Sequence, residues 1–88
     1  MKVSFTKKFI EQLAEIGDKK LAAAVKDAID NTEKAKSPWE IHSVKKLIGH
    51  KTAYRIRFGN YRVGIFIEKG EVIFAAIALR KNIYKKFP

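Results

Sequence analysis

The second half of the chain contains three stretches in which apolar and polar residues alternate, and only two residues separate each stretch from the next. The stretches are about 52–58, 61–68 and 71–79, and the separating pairs are Gly59-Asn60 and Lys69-Gly70. Two-residue connections between strands favour tight hairpin turns with positive φ, which glycine and asparagine tolerate. The spacing therefore predicts a three-stranded antiparallel meander whose register is set by its turns.

This register gives the predicted sheet one apolar face and one basic face. The apolar face consists of Tyr54, Ile56, Phe58, Val63, Ile65, Ile67, Val72, Phe74 and Ala76. On the basic face, Arg57 is expected directly opposite Arg62, and Arg55 lies nearby on the same strand as Arg57. Ile77 is expected opposite Arg62 on the third strand. Because an antiparallel sheet commonly buries one face, another part of the chain must cover the apolar side.

The first half of the chain has helical periodicity and can supply that cover. Its apolar residues fall on two successive helical stripes, Phe9, Ile10, Leu13 and Ile16 and then Leu21, Ala24, Val25, Ala28 and Ile29. Thr6 and Asp18 are expected to cap the two helices, and Gly17 to end the first. The second helix is expected to end at Asn31 or Thr32.

Together these elements predict one α+β domain spanning residues 1–88, in which an N-terminal helical hairpin packs on a small antiparallel β-sheet. The expected order is β-α-α-β-β-β, with a short edge strand at residues 1–5 before the hairpin. The polar segment 31–50 is expected to be a loop anchored to the core by Trp39, Ile41, Val44 and Leu47. A chain of 88 residues has room for only one small core.

Residues that usually hold metals or disulfides are scarce. The chain has no cysteine, and His42 and His50 lie in the polar segment without a third ligand, so we expect neither a metal site nor a cofactor. No apolar run reaches the length of a membrane span, and the first residues lack the apolar core of a signal peptide. These features are typical of a protein of the reducing cytoplasm.

Positive charge is concentrated in the second half of the chain. The whole chain carries 19 Lys+Arg and 9 Asp+Glu, a net charge of +10. Residues 1–44 hold 8 Lys and 7 acids, net +1, whereas residues 45–88 hold 7 Lys and 4 Arg against 2 Glu, net +9. We expect the second half to bind a polyanion, while solubility alone explains the scattered lysines of the first half.

Three of the four arginines share the basic face of the predicted sheet. Like charges opposite each other destabilise a sheet, so the Arg57–Arg62 pair indicates a bound anion. A planar guanidinium binds phosphate through two parallel hydrogen bonds, which favours phosphate as that anion. Two alternatives stay open: the arginines remain solvated over apolar neighbours such as Phe66 and Ile77, or they pair with an acidic protein.

The basic tail, residues 79–86, leaves the third strand near the end of the sheet where the two arginines meet. Strict alternation from Ile77 places Lys81 on the basic face, whereas a bend at the strand end places Arg80 there instead. Tyr84 is expected either to contact a nucleotide, by stacking or through its hydroxyl, or to pack the carboxyl terminus against the sheet.

Cleavage of a phosphodiester is a reaction that such residues support. No carboxylate pair lies beside the arginines, because Glu68 and Glu71 are at the far turn, and no Ser-His-Asp arrangement is visible. RNA carries its own nucleophile in the ribose 2′-hydroxyl. Guanidinium groups that orient the backbone and stabilise the added negative charge can therefore accelerate cleavage with little acid–base machinery and no metal ion.

Four segments of the basic half form a recognisable series. They are Val44-Lys45-Lys46-Leu47, Tyr54-Arg55-Ile56-Arg57, Gly59-Asn60-Tyr61-Arg62-Val63 and Arg80-Lys81-Asn82-Ile83-Tyr84. Each is weak alone, but as a set, and in this order of elements, they resemble the RelE/ParE superfamily of bacterial toxins over nearly the whole chain. The resemblance implies the toxin of a type II toxin–antitoxin pair, silenced by an antitoxin wrapped around it.

The resemblance also implies an activity, partners and site residues. RelE-like members cut messenger RNA in the ribosomal A site, which implies an endoribonuclease that inhibits translation, with the ribosome, mRNA and an acidic, adjacently encoded antitoxin as partners. The expected catalytic residues are Arg57, Arg62, Arg80 and Tyr84. The residues expected to bind RNA phosphates are Arg55, Lys45, Lys46, Lys81 and Lys85.

Two departures from the RelE pattern keep other functions open. Arg57 stands where RelE-like enzymes often have a lysine as candidate base, and an arginine is a poor proton acceptor, which leaves Lys81 or Lys45 for that role. Ala78-Leu79 stands where many relatives have Gly-His. The alternatives are inhibition of DNA gyrase, as in ParE-like members with the same fold, and a non-catalytic binding module.

Overall fold

The chain folds into an α+β structure, as predicted, with helices packed on a five-stranded sheet. A computed structural model describes residues 1–88. Its elements in chain order are β1 (Lys2–Phe5), α1 (Lys7–Ile16), α2 (Lys19–Lys34), a 3₁₀ turn (Pro38–Glu40), β2 (Val44–Lys46), β3 (Ala53–Phe58), β4 (Tyr61–Glu68), β5 (Glu71–Leu79) and α3 (Ile83–Lys86). The strands lie in the order β1-β5-β4-β3-β2. α1 and α2 cover one face of this sheet, and α3 lies against the other.

The predicted meander is confirmed, because β3, β4 and β5 pair antiparallel through two-residue turns. Arg57 lies directly opposite Arg62, as the first turn predicts. In the second turn, both Lys69 (φ 50°) and Gly70 (φ 77°) have positive φ, as a type I′ turn requires. In the first turn, only Gly59 does (φ 56°).

The helical hairpin is confirmed together with its caps. The Thr6 hydroxyl accepts a hydrogen bond from the Phe9 N–H at 3.1 Å, and the Asp18 carboxylate accepts one from the Leu21 N–H at 3.0 Å. Gly17, with φ 64°, ends α1. α2 continues for a short distance past its predicted end before stopping. None of the helices has both the length and the apolar character that crossing a membrane requires.

The sheet differs from the prediction in two ways. The short strand β2 pairs antiparallel with β3, in a segment that was expected to be a loop. Its 3 residues are too few for an alternating pattern to reveal a strand. In addition, β1 pairs parallel with β5, so the sheet is mixed rather than purely antiparallel.

The segment that connects the hairpin to the sheet is anchored by Ile41 and Leu47, which are buried, with Val44 half-buried. The expectation that Trp39 is an anchor is wrong, because its side chain is 68% exposed. Trp39 lies on the 3₁₀ turn, and it contacts the ring of Tyr54 edge-on, with 6.1 Å between ring centroids. The remaining surface of the indole faces solvent.

A β-bulge in β5 changes the predicted register. Ile65 lies opposite Phe74, as expected, but the preceding residue, Gly64, lies opposite Ala76. Ala75 is therefore an extra residue without a partner on β4. The pairing of β4 with the second part of β5 is displaced by one residue from the prediction.

Beyond the bulge, each side chain of β5 lies on the face opposite to the predicted one. Ile77 packs in the helix-covered core, in the place predicted for Ala76. Arg62 lies opposite Ala78, so the expectation that Ile77 shares the basic face with Arg62 is wrong. Since side chains alternate strictly along a strand, one extra residue inverts every later assignment.

The face of the sheet opposite α1 and α2 carries a second, smaller apolar cluster. Its buried members are Leu47, Ala53, Ala75, Ala76, Ala78, Ile83 and Phe87. The strand residues there are small, and the smallest is Gly64, where a Cβ atom would fall on the ring of Phe87. The small side chains allow α3 and the residue after it to approach the sheet closely.

Candidate functional site

An open cleft on the basic face of the sheet brings residues together from β3, β4 and the tail. It has a volume of about 540 Å³ and is lined by Arg55, Arg57, Gly59, Asn60, Arg62, Arg80 and Tyr84. We call it the arginine cleft. It contains every arginine of the chain and all four residues that were predicted to be catalytic.

The β-bulge determines which residue of the basic tail reaches the arginine cleft. The Arg80 N–H donates to the Asn60 carbonyl at 2.8 Å, which continues the ladder in which Arg62 lies opposite Ala78. Because alternate residues share a face, Arg80 lies on the same face as Arg62. Lys81 does not line the arginine cleft and instead borders a neighbouring cleft that shares Asn60, Arg80 and Tyr84 with it. The ambiguity between these two basic residues is thereby resolved in favour of Arg80.

Arg62 is the buried charge of the arginine cleft, with 8% of its surface exposed. Its Nη1 atom donates to the carbonyl of Gly59 at 2.7 Å and to the carbonyl of Tyr61 at 2.9 Å. Both acceptors belong to the β3–β4 turn, so the turn fixes the guanidinium. The other two guanidinium nitrogens, Nη2 and Nε, are left as donors for a ligand.

The environment lowers the pKa of Arg62. Burial is the larger cause, followed by repulsion from the positive charges of Arg55, Arg57 and Arg80, while Tyr84 acts weakly in the opposite direction. An arginine nevertheless stays charged at physiological pH. Burial and the neighbouring arginines thus destabilise the charged form of Arg62, and an anion bound in the arginine cleft stabilises that form.

Tyr84 is placed at the cleft by its neighbours rather than by its own burial. Ile83 is fully buried and Phe87 is 3% exposed, whereas Tyr84 is 61% exposed. Ile83 begins α3, and Phe87 directly follows it and donates its N–H to the Ile83 carbonyl at 2.8 Å, so the two buried side chains anchor both ends of α3. The alternative in which Tyr84 packs the carboxyl terminus against the sheet is wrong. The apolar pair Ile83 and Phe87 in the tail is the sequence signal that indicates this placement of Tyr84.

The unpredicted strand β2 brings Lys45 beside the arginines. Lys45 lies opposite Arg55 and so shares its face. Lys46 lies opposite Tyr54, whose side chain is in the helix-covered core, so alternation directs Lys46 away from the basic face. Both lysines border a second cleft of about 470 Å³ that adjoins the arginine cleft. This second cleft is lined by Lys45, Lys46, Leu47, Ile48, His50, Arg55, Tyr84, Phe87 and Pro88.

None of these clefts has an acidic residue in its lining. The one ion pair of the structure, Lys7–Glu11, is on α1, and no group of three or more His, Asp and Glu residues is arranged to hold a metal ion. Lys85 is exposed on α3 and borders none of the clefts. The arginine cleft thus offers hydrogen-bond donors and positive charge, which suit a phosphate group.

Comparison with known proteins identifies the family. Over residues 3–84, the chain matches the family described as ParE toxin of type II toxin-antitoxin system, parDE. It is also 35% identical over 89 residues to Toxin RelE3 of Methanocaldococcus jannaschii, and the match covers 100% of both chains. The chain therefore belongs to the RelE/ParE superfamily, the toxins of type II toxin–antitoxin systems, as the resemblance of its segments implied.

Two solved structures share the fold. The first is the RelB–RelE antitoxin–toxin complex from Methanococcus jannaschii, with a TM-score of 0.80, 32% identity, and coverage of 96% of this chain and 98% of that one. The second is the archaeal RelE–RelB complex from Pyrococcus horikoshii OT3, with a TM-score of 0.75, 23% identity, and coverage of 93% and 97%. The second match bears on the fold alone.

Proposed function

We propose that this toxin is an endoribonuclease that cuts messenger RNA in the ribosomal A site and so stops translation. The observation that supports the proposal is the arginine cleft, where the buried Arg62 is surrounded by three further arginines and an exposed tyrosine. Such a cleft binds a polyanion and supplies no carboxylate to repel it. The similarity to proteins named RelE favours mRNA as that polyanion.

The proposed reaction uses the nucleophile of the RNA itself. The 2′-oxygen of a ribose attacks the adjacent phosphorus, and the bond from that phosphorus to the 5′-oxygen of the next nucleotide breaks. The products are a 2′,3′-cyclic phosphate and a 5′-hydroxyl. The proton of the 2′-hydroxyl passes to water in the open cleft, because Arg57 holds its own proton too tightly to act as base. The leaving oxygen takes a proton from water.

The residues of the arginine cleft have separate proposed roles in this reaction. Arg62 and Arg57 bind the non-bridging oxygens of the phosphate and offset the charge that develops there. Arg80 donates a hydrogen bond to the leaving oxygen, and Tyr84 stacks on a neighbouring base. No step in this scheme requires a metal ion, since guanidinium groups stabilise the charge.

Other basic residues are proposed to hold the RNA on either side of the cut. Arg55 and Lys45, which are cross-strand neighbours, bind phosphates on one side, and Lys81 binds on the other. Lys46 and Lys85 are proposed to contact phosphates farther from the reacting one. Such contacts add affinity that weakens with salt and contribute little to sequence preference.

The test is to add the purified protein to ribosomes stalled on a defined message and to map new 5′ ends, with and without EDTA. We expect a single cut in the A site that EDTA does not prevent. Arg80→Ala is expected to slow the cut by about 100-fold, to a rate that can still be measured, because it removes the donor to the leaving oxygen. Lys20→Ala is the charge-matched control, since Lys20 is exposed on α2, and it is expected to cut like the wild type.

The same experiment separates the alternatives. Cleavage of naked RNA at an equal rate contradicts ribosome dependence, and a cut at the wild-type rate in Arg80→Ala contradicts the assignment of the site. A second candidate function, inhibition of DNA gyrase, is favoured by the match to the ParE family. If no RNA is cut and gyrase supercoiling is blocked in a purified assay, the gyrase function replaces the ribonuclease function.

We also propose that an acidic antitoxin, encoded next to this gene, binds and silences the protein. The RelB–RelE structure that is 32% identical to this chain is a toxin–antitoxin complex, and residues 45–88 of this chain carry a net charge of +9. Charge complementarity of this kind speeds association and selects partners. Titrating the RNA cleavage reaction with the product of the neighbouring reading frame is expected to abolish cleavage at one equivalent. Undiminished cleavage at excess antitoxin contradicts the proposal.

A further inference from the structure

Beyond the end of β1, hydrogen bonds from α1 and its N-cap satisfy the edge of β5 that faces β1. β1 pairs with β5 only as far as Phe74. Beyond that point, the N-cap and the middle of α1 provide the partners: the Thr6 hydroxyl donates to the Ala75 carbonyl at 2.9 Å, and the Gln12 Oε1 accepts from the Ile77 N–H at 2.9 Å. We call these two hydrogen bonds the bulge contacts. The first is made to the bulged residue itself, and the second is made two residues beyond it.

The bulge contacts involve backbone groups of buried residues. Ala75 and Ile77 are 8% and 2% exposed, and Gln12 itself is half-buried. A buried N–H without an acceptor destabilises the conformation that contains it. Gln12 therefore stabilises the register in which the Ile77 N–H points outward from the sheet toward α1.

This register decides which basic residue enters the arginine cleft. With the bulge, Arg62 lies opposite Ala78, and Arg80 shares its face. Without the bulge, Arg62 would lie opposite Ile77, Leu79 would take the place of Arg80 opposite Asn60, and Lys81 would be the basic tail residue on that face. A lysine there would present a point charge on a flexible stem instead of a planar fork.

We propose that Gln12 is a positioning residue for Arg80, acting from the opposite face of the sheet with the help of Thr6. The role in catalysis rests on the proposed ribonuclease function. Gln12 does not line the arginine cleft, so it acts only through the backbone of β5. A small displacement of Arg80 at the strand end is sufficient to slow a reaction that depends on alignment.

The experiment compares Gln12→Leu, which removes the acceptor, with Gln12→Glu, which keeps an acceptor oxygen. Gln12→Leu is expected to lower kcat for RNA cleavage by about tenfold or more, in line with the sensitivity of aligned reactions to small misplacements, with KM little changed. Gln12→Glu is expected to restore most of the rate. Glu15→Leu, an equivalent change at an exposed site of α1, is the control and is expected to cut normally.

Two further measurements distinguish positioning from a general loss of stability. Gln12→Leu is expected to have no further effect on kcat in an Arg80→Ala background, whereas a merely structural effect would lower both backgrounds equally. Amide hydrogen exchange at Ile77 is expected to accelerate by about tenfold or more in Gln12→Leu, because the N–H loses its acceptor. Exchange at Val63, on the neighbouring strand, is expected to stay unchanged.

The outcomes separate this inference from the proposed function. If the wild type cuts no RNA, the ribonuclease function fails, but exchange at Ile77 and cross-strand nuclear Overhauser contacts still report whether Gln12 holds Arg62 opposite Ala78. If the wild type cuts RNA and Gln12→Leu leaves both kcat and Ile77 exchange unchanged, the positioning role is wrong. Equal losses of kcat with and without Arg80 also overturn it.

Discussion

Replacing Arg62 with alanine is expected to lower the rate of RNA cleavage by about 100- to 1,000-fold, since removing one preorganised donor from a charge-stabilising site has an effect of this size. Arg62 is the buried arginine of the cleft, and the carbonyls of Gly59 and Tyr61 hold its guanidinium in place. Its remaining donors need no rearrangement when the phosphate acquires charge. The measurement is the single-turnover rate on programmed ribosomes.

The same substitution is expected to leave the free energy of unfolding nearly unchanged. Each of the two hydrogen bonds from the charged guanidinium contributes about 1.5 to 3 kcal/mol, and the substitution offsets this loss because it also removes a buried charge that faces three other arginines. Urea unfolding measures this. Arg62→Lys keeps the charge without the fork and is expected to recover no more than about a tenth of the wild-type rate. Wild-type cleavage by Arg62→Ala contradicts the role of the buried arginine.

Arg57→Ala is the comparison within the same cleft. Arg57 is exposed and has no hydrogen bond to the turn, so its side chain must be ordered when the RNA binds. Its removal is expected to have a smaller effect on the rate than the removal of Arg62. If the two variants lose activity equally, the fixed position of the Arg62 guanidinium gives Arg62 no advantage over Arg57 in catalysis.

Most of the sheet could be predicted from the sequence because local rules determine it. The two turns fix the pairing of Arg57 with Arg62, and alternation then assigns the faces of β3 and β4. The hairpin was equally accessible, since Thr6 and Asp18 have the residue types that cap helices. The clustering of Arg55, Arg57 and Arg62 follows from the same rules.

The rest depends on contacts between distant parts of the chain. The bulge lies in Ala75-Ala76, where two small residues fit either face, and it is held by Gln12, 65 positions away from Ile77 in sequence. No residue near position 75 indicates that the hydrogen bond between Gln12 and Ile77 forms. Strand β2 is too short for a pattern, and its pairing with β3 is also non-local. Sequence reasoning therefore located the arginines of the strands and left open which tail residue joins them.

A second large effect is expected at Gly64, in the middle of β4. Gly64→Ala is expected to lower the free energy of unfolding by about 2 kcal/mol, which is the contribution of burying a side chain the size of phenylalanine. The added Cβ would overlap the base of the Phe87 ring, at Cγ and both Cδ atoms. The ring has little room to turn aside, because the ring of Phe66 lies 4.9 Å away between centroids.

The displacement is expected to reach the arginine cleft through α3. Tyr84 is mostly exposed and depends on the buried Phe87 and Ile83 for its position. Once Phe87 leaves its place, Tyr84 no longer stands over the arginines, and RNA cleavage is expected to fall although every residue of the arginine cleft is intact. The single-turnover rate, measured at a temperature where the variant is folded, tests this.

A double-mutant cycle with Phe87→Ala gives the decisive comparison. Phe87→Ala alone is expected to lower the free energy of unfolding by about 3 kcal/mol, at the low end of values for buried phenylalanine. In that background, the space above Gly64 is vacant, so adding Gly64→Ala is expected to have almost no further effect, giving a coupling energy of about 2 kcal/mol between two residues in contact. Additive losses would mean that the methyl group strains β4 itself rather than expelling the ring, and α3 would then need another anchor to hold Tyr84 at the cleft.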